Sequence, residues 1–115
     1  HQARSQENEV GKFNMEYELI RKDLDKVIEI APDYVYAYYN RGYVLSQLKD
    51  YRGALADYDK AISLYPNFAE AYFNRGLIHI FIGDNNKGVS DLSKAGELGI
   101  ASAYNIIKRF SLVQN

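Results

Sequence analysis

The sequence predicts an all-α fold, a solenoid of antiparallel helix pairs, and three observations carry that expectation. Residue types return at a spacing of 34: Tyr38, Asn40, Arg41, Gly42, Asp57, Lys60, Ala61 and Leu64 are followed by Tyr72, Asn74, Arg75, Gly76, Asp91, Lys94, Ala95 and Leu98. A fixed period in this range marks a unit that cannot bury its own apolar face and must stack on a neighbour. Apolar residues also recur every three or four positions, the period of an amphipathic helix. The punctuation repeats as well, with Pro32-Asp33 and Pro66-Asn67 each ending one segment and opening the next.

Taken in order, residues 1–14 are polar, hold Val10 and Phe13 as their only large apolar side chains, and contain Gly11, which is expected to interrupt a helix. The opening His1-Gln2-Ala3-Arg4, with neither initiator Met nor apolar signal core, is expected of a processed chain or an excised piece of a longer one, with His1 as a remnant. From Met15 to Ile30, Tyr17, Leu19, Ile20, Leu24, Val27, Ile28 and Ile30 follow helical spacing. Pro32 cannot continue that helix and biases Ala31 toward extended geometry. Asp33 is expected to cap a helix running to about Leu48, followed by a Lys49-Asp50 turn and a helix from Tyr51 to about Leu64.

Asn67, with Glu70 three residues on, reads as a variant capping box opening a helix to Ile82. Gly83 suits the left-handed conformation that ends helices. A further helix is expected from Lys87 to Leu98. After Gly99, a closing helix from Ile100 to about Leu112 places Tyr104, Ile107 and Phe110 or Ser111 on one face.

The composition bounds function. A hydrophobic content of 47% in 115 residues suffices for one modest core, so a single domain is expected. The net charge of -1, with both signs mixed along the chain, gives neither a nucleic-acid footprint nor a polybasic membrane patch. Absence of cysteine removes disulfides, thiolate metal sites and a cysteine nucleophile. The longest apolar run, Leu77 to Ile82, is interrupted by His79 and falls far short of the roughly 20 residues that span a bilayer, so no membrane insertion is expected.

These residues resemble the tetratricopeptide repeat family. Tyr38, Gly42, Leu45, Ala54, Tyr58, Ala61 and Pro66 fill the family's diagnostic places in residues 35–68. Tyr72, Gly76, His79, Gly88, Leu92 and Ala95 stand at the same places one period on, with Ile100 where the closing proline is expected. Before them only the second helix is legible, through Ile20, Leu24, Val27 and Pro32, while Arg4, Asn8 and Gly11 depart from the pattern. The resemblance implies a right-handed solenoid of about 2.5 to 3 repeat units, divided as 1–34 (partial), 35–68 and 69–102, with a capping helix in 103–115. Gly42 and Gly76 are expected where two helices approach closely, with Tyr38 and Tyr72 filling the space opposite.

No catalytic constellation emerges, so no enzyme activity, cofactor or metal site is expected. His79 is the one internal histidine, and its place in the repeat is one that packs inside. Asp23 and Asp25, like Asp57 and Asp59, stand two apart on a helix and point about 200° away from each other, so neither pair converges on one ion. Asp23, Asp57 and Asp91 each precede a lysine by three residues (Lys26, Lys60, Lys94), the pattern of a repeated surface ion pair. Arg41 and Arg75 are expected to reach across to Asp57 and Asp91 of their own repeats.

In the family, first helices line a concave groove. Its carried-over positions are Tyr36, Tyr39, Asn40, Tyr43, Ser46 and Gln47, then Glu70, Phe73, Asn74, Leu77, Ile80 and Phe81. The resemblance implies that Asn40 and Asn74 hydrogen-bond the backbone of an extended peptide. The lysines and arginines with which some members clamp a peptide carboxylate are replaced by Tyr36, Tyr39, Glu70 and Phe73. The expected function is therefore a protein-interaction module holding a partner peptide or helix with apolar or aromatic side chains. The alternative is a self-associating structural fragment of a larger protein, in which a second copy covers Leu24, Val27 and Ile30.

Overall fold

The computed structural model describes residues 2–114, with side-chain surroundings from Asn8 to Val113. His1, expected as a remnant, lies outside the described residues, as does the side chain of Arg4. Six helices account for the described chain: α1 (Gln2–Ile30), α2 (Val35–Gln47), α3 (Tyr51–Leu64), α4 (Ala69–Phe81), α5 (Asn85–Glu97) and α6 (Ser102–Gln114). The all-α repeat architecture is the one the period predicts.

Two compact units divide the chain, residues 1–57 and 58–115, with the boundary inside α3. In the first, α1 packs on α2; in the second, α4 packs on α5 and α5 on α6. The core of the second unit centres on Leu92, Ala95 and Ala103, with Tyr72, Phe73, Ile80, Ile106 and Ile107 against it. Alanine and glycine let these helices approach. A Cβ on Gly76 would lie 3.0 Å from both the Asp91 Cβ and the Gly88 carbonyl oxygen, so α4 and α5 meet with no room for a methyl group. The ring of Tyr104 on α6 lies over Gly96 in the same way.

Helix ends follow one design. Lys49, Gly83 and Gly99 adopt positive φ (66°, 93° and 117°). The amide of the residue after each donates to the carbonyl five back, Asp50 to Leu45, Asp84 to His79 and Ile100 to Ala95. That pattern closes a helix and turns the chain toward the next. Gly83 was expected here; Lys49 adopts the same geometry without glycine's freedom.

Four expectations are corrected. The helix does not break near Gly11: α1 runs unbroken from Gln2 to Ile30, because one exposed glycine costs only about 1 kcal/mol, and the amphipathic stretch from Met15 to Ile30, rich in Glu, Leu, Lys and Arg, sustains the helix. Asp33 and Asn67 do not cap. The N-cap positions are Tyr34 and Phe68, neither with a side-chain cap bond, because after each proline the chain spends two residues in a turn before the helix begins. Asp84 does cap α5, accepting from the Lys87 amide at 3.5 Å, so α5 begins earlier than Lys87. The buried face of α6 is centred on Ala103, Ile106 and Ile107, and Tyr104 remains exposed at its margin.

Gly76→Ala is expected to destabilise the protein by about 1–3 kcal/mol in urea denaturation, because the new methyl group meets backbone. Gly11→Ala, where nothing lies within 4 Å, is expected instead to raise helicity at 222 nm and to stabilise α1 by about 0.5–1 kcal/mol.

Candidate functional site

Two groups of side chains recur with the repeat: a charged tether between helices, and an aromatic face on each first helix. The tether is built from one arginine and two aspartates. Arg41 donates through Nε and Nη2 to both carboxylate oxygens of Asp57, at 2.7 and 2.8 Å, and through Nη1 to Asp25 at 3.0 Å. Arg75 repeats this with Asp91, at 2.8 Å twice, and with Asp59 at 3.0 Å. Each arginine thus reaches the aspartate sixteen residues after it and the one sixteen before. Each guanidinium also lies over the tyrosine three residues earlier, Tyr38 at 5.8 Å and Tyr72 at 5.4 Å.

The paired fork to Asp57 and Asp91 was expected; the bond to Asp25 and Asp59 was not. The signal was present, since Asp25 and Asp59 are themselves 34 apart. The expected surface pairing of Asp91 with Lys94 is corrected: Asp91, like Asp57, is buried and faces arginine, while Lys94 lies against Glu97. A planar fork satisfies a buried carboxylate better than an ammonium on a flexible stem. Hydrogen bonds to Asp57 and Asp91 hold the two guanidinium groups well above their usual range, outweighing burial, which opposes it. A folded-state pKa raised in this way gives a contribution that is complete below the ordinary guanidinium value and lost only above it. It is therefore constant through neutral pH.

In the first unit the network extends to Arg21, which bonds Glu18 at 2.6 Å and Asp25 at 2.9 Å. Glu18, Arg21, Asp25, Arg41, Asp50 and Asp57 line an open cleft of about 500 Å³ with Leu45 and Leu48. Glu18, Asp25 and Asp57 are committed to guanidinium groups, so a metal or substrate cation would have to displace an arginine. Among the described residues, no three His, Cys, Asp or Glu side chains are grouped to hold a metal ion. His79 packs inside, as expected, with Nε2 3.9 Å from Asp91 and a buried Nδ1 that has no hydrogen-bond partner. Among the described residues, no helix is long and apolar enough to cross a membrane.

On α2, Tyr36, Asn40, Tyr43 and Gln47 are exposed and Tyr39 is half-buried. The Tyr36 ring meets Tyr34 edge-on at 5.9 Å, and the Ser46 hydroxyl turns back to the Tyr43 carbonyl. On α4, Glu70, Leu77 and Phe81 are exposed, while Phe73 and Asn74 are half-buried and Phe73 leans on the core of its own unit. One register position was missed. Lys108 and Arg109 on α6 fall one further period after Asn74 and Arg75, so α6 follows the pattern of a first helix.

A family model described as tetratricopeptide repeat matches residues 35–68, and a second with the same description matches 57–89. The chain carries tetratricopeptide repeats. A search of curated protein sequences finds no match. Among solved structures, MamA is 29% identical over 77% of this chain and 52% of its own, with a TM-score of 0.71. A MamA RS-1 double mutant is 26% identical over 84% and 60%, with a TM-score of 0.68. The first tetratricopeptide repeat domain of Spaghetti (RPAP3), bound to the HSP90 peptide SRMEEVD, superposes with a TM-score of 0.81 over 93% of this chain and 88% of its own, at 20% identity. The chain spans about half the length of MamA.

The buried tether gives a direct test of what holds a tetratricopeptide repeat of this chain together. Arg75→Ala is expected to cost about 3 kcal/mol in urea unfolding, because Asp91 is left buried without its cation. Arg75→Lys is expected to recover only part of the loss, having no fork to offer.

Proposed function

We propose that this tetratricopeptide repeat protein is an interaction module that holds a partner peptide or helix on the exposed aromatic faces of its first helices. One contrast supports the reading: the arginines and aspartates at the helix pairs are consumed by one another, while aromatic and apolar side chains stand exposed on α2 and α4. Tyrosine and phenylalanine offer large contact area for little lost side-chain freedom, so they favour recognition. Asn40 and Asn74 are assigned to the peptide backbone. Tyr36, Tyr39, Tyr43 and Gln47 on α2 are assigned to its side chains. Glu70, Phe73, Leu77 and Phe81 on α4 are assigned the same role.

The partner is read as apolar or aromatic, held without a cationic carboxylate clamp. At the places where a clamp would put cations stand Tyr36, Tyr39, Glu70 and Phe73; Lys108 alone falls in the register of the asparagines. The fold is one on which RPAP3 holds an acidic-tailed peptide, so the distinction lies in side chains and not in architecture.

A phage-displayed random peptide library panned on the 115-residue protein is expected to enrich apolar and aromatic motifs. Those peptides should bind a Tyr39→Ala, Phe73→Ala double variant at least about tenfold more weakly. Peptide SRMEEVD should not bind at micromolar concentration. Enrichment indifferent to the double variant, or tight SRMEEVD binding abolished by Lys108→Ala, would sink the respective half of the reading.

A further inference from the structure

Helix α2 carries a strip in which rings and amides alternate. Tyr36, Asn40, Tyr43 and Gln47 follow one another at spacings of four, three and four residues, which brings them onto one face of the helix. All four are exposed, Tyr36 by 51% and Tyr43 by 45%. Among the described residues, the side chains of Asn40, Tyr43 and Gln47 have no hydrogen-bond partner, and the Ser46 hydroxyl is turned back to the Tyr43 carbonyl. The strip is also uncharged. Arg41, the one charged residue of α2, is bound to Asp57 and Asp25. On α4 the same four places hold Glu70, Asn74, Leu77 and Phe81, so the alternation belongs to α2.

Three kinds of peptide segment differ in what they require of such a strip. A helix has already bonded its own amides and carbonyls, so it would bury Asn40 and Gln47 with nothing to bond. An extended strand returns to one face about every 7 Å. Tyr36 and Tyr43 are instead seven residues apart, about 10.5 Å along the helix axis. A polyproline II segment returns to one face every three residues, about 9.3 Å, and makes no hydrogen bonds within itself. Its carbonyls need donors, which Asn40, Gln47 and the Tyr43 hydroxyl can supply, and its prolines have no N–H that would need an acceptor.

We propose that the strip on α2 takes an uncharged, proline-rich segment in the polyproline II conformation, running along the helix. Prolines three apart seat on the rings of Tyr36 and Tyr43, and the carbonyls between them accept from Asn40 and from the Tyr43 hydroxyl. The inference rests on the reading that the first helices hold a partner peptide, and it names the class of that peptide on α2. Charge complementarity points the same way: a neutral strip offers an acidic or basic segment no counter-ion, so it favours a stretch that carries none. The fixed backbone of proline lowers the ordering cost of binding, and flat tyrosine rings match the apolar faces of its ring.

Hexaproline, acetylated and amidated so that it carries no charge, is about 19 Å long, close to the length of the 13-residue α2. Titrated into the isotope-labelled 115-residue protein, it should shift the amide resonances of α2 saturably, with an affinity unchanged between about 0.05 and 0.5 M salt. Tyr43→Ala should weaken binding at least about tenfold. Tyr43→Phe, which keeps the ring and loses the donor, should weaken it about threefold. Circular dichroism should be unchanged in both, because the side chain is exposed. Absence of shifts in α2, or saturation indifferent to Tyr43→Ala, would overturn the inference. If apolar peptides from the panned library still bind in that case, this inference alone falls; if they too fail to bind, the interaction reading falls with it.

Discussion

The bidentate bond from an arginine on a first helix to a buried aspartate on the second is the constraint on which the rest of this structure depends. Close packing between helices is possible only where side chains are small, and small side chains bury little area. The pairing of Arg41 with Asp57 and of Arg75 with Asp91 compensates by fixing one register between helices that alanine and glycine alone would leave free to slide. Stacking of each guanidinium on Tyr38 or Tyr72 adds apolar contact to the same group. A second aspartate, Asp25 or Asp59, lies sixteen residues before each arginine and ties the preceding segment to the same guanidinium.

Such an arrangement uses charge for architecture and leaves recognition to other residues. Of the carboxylates whose spacing suggested acid–base or metal chemistry, Asp25, Asp57 and Asp59 are bound to guanidinium groups. Tyr36 and Tyr43 on α2, and Leu77 and Phe81 on α4, stand outside that network and are exposed. The division explains how a chain with 25% charged residues can present apolar faces for binding.

Most of the architecture was legible because it is periodic. Helix α3 has the bounds its pattern predicts, and the left-handed turn falls at Gly83. Where reasoning from residues failed, a local rule was outweighed by the chain around it. Gly11 lowers helix stability by less than the stretch from Met15 to Ile30 supplies, so α1 continues. Asp33 and Asn67 are good caps placed one residue too early. Lysine three residues after aspartate is a sound surface pairing rule, yet burial of Asp91 hands it to Arg75, far away in sequence, and Lys94 turns to Glu97. Exposure of Asn40 and half-burial of Asn74 were not distinguishable from spacing, because both fall on the same helix position and differ only in what packs beside them.

The account stands or falls on whether the arginine fork couples two helices energetically instead of merely lying between them. A double-mutant cycle on Arg41 and Asp57, with each residue replaced by alanine singly and together and unfolding followed in urea, measures that coupling without the cost of stranding either partner. The account predicts an interaction energy of about 2 kcal/mol or more, with the double variant more stable than the sum of the single losses implies. A value below about 0.5 kcal/mol would mean that the two side chains contribute independently, and that apolar packing alone sets the register.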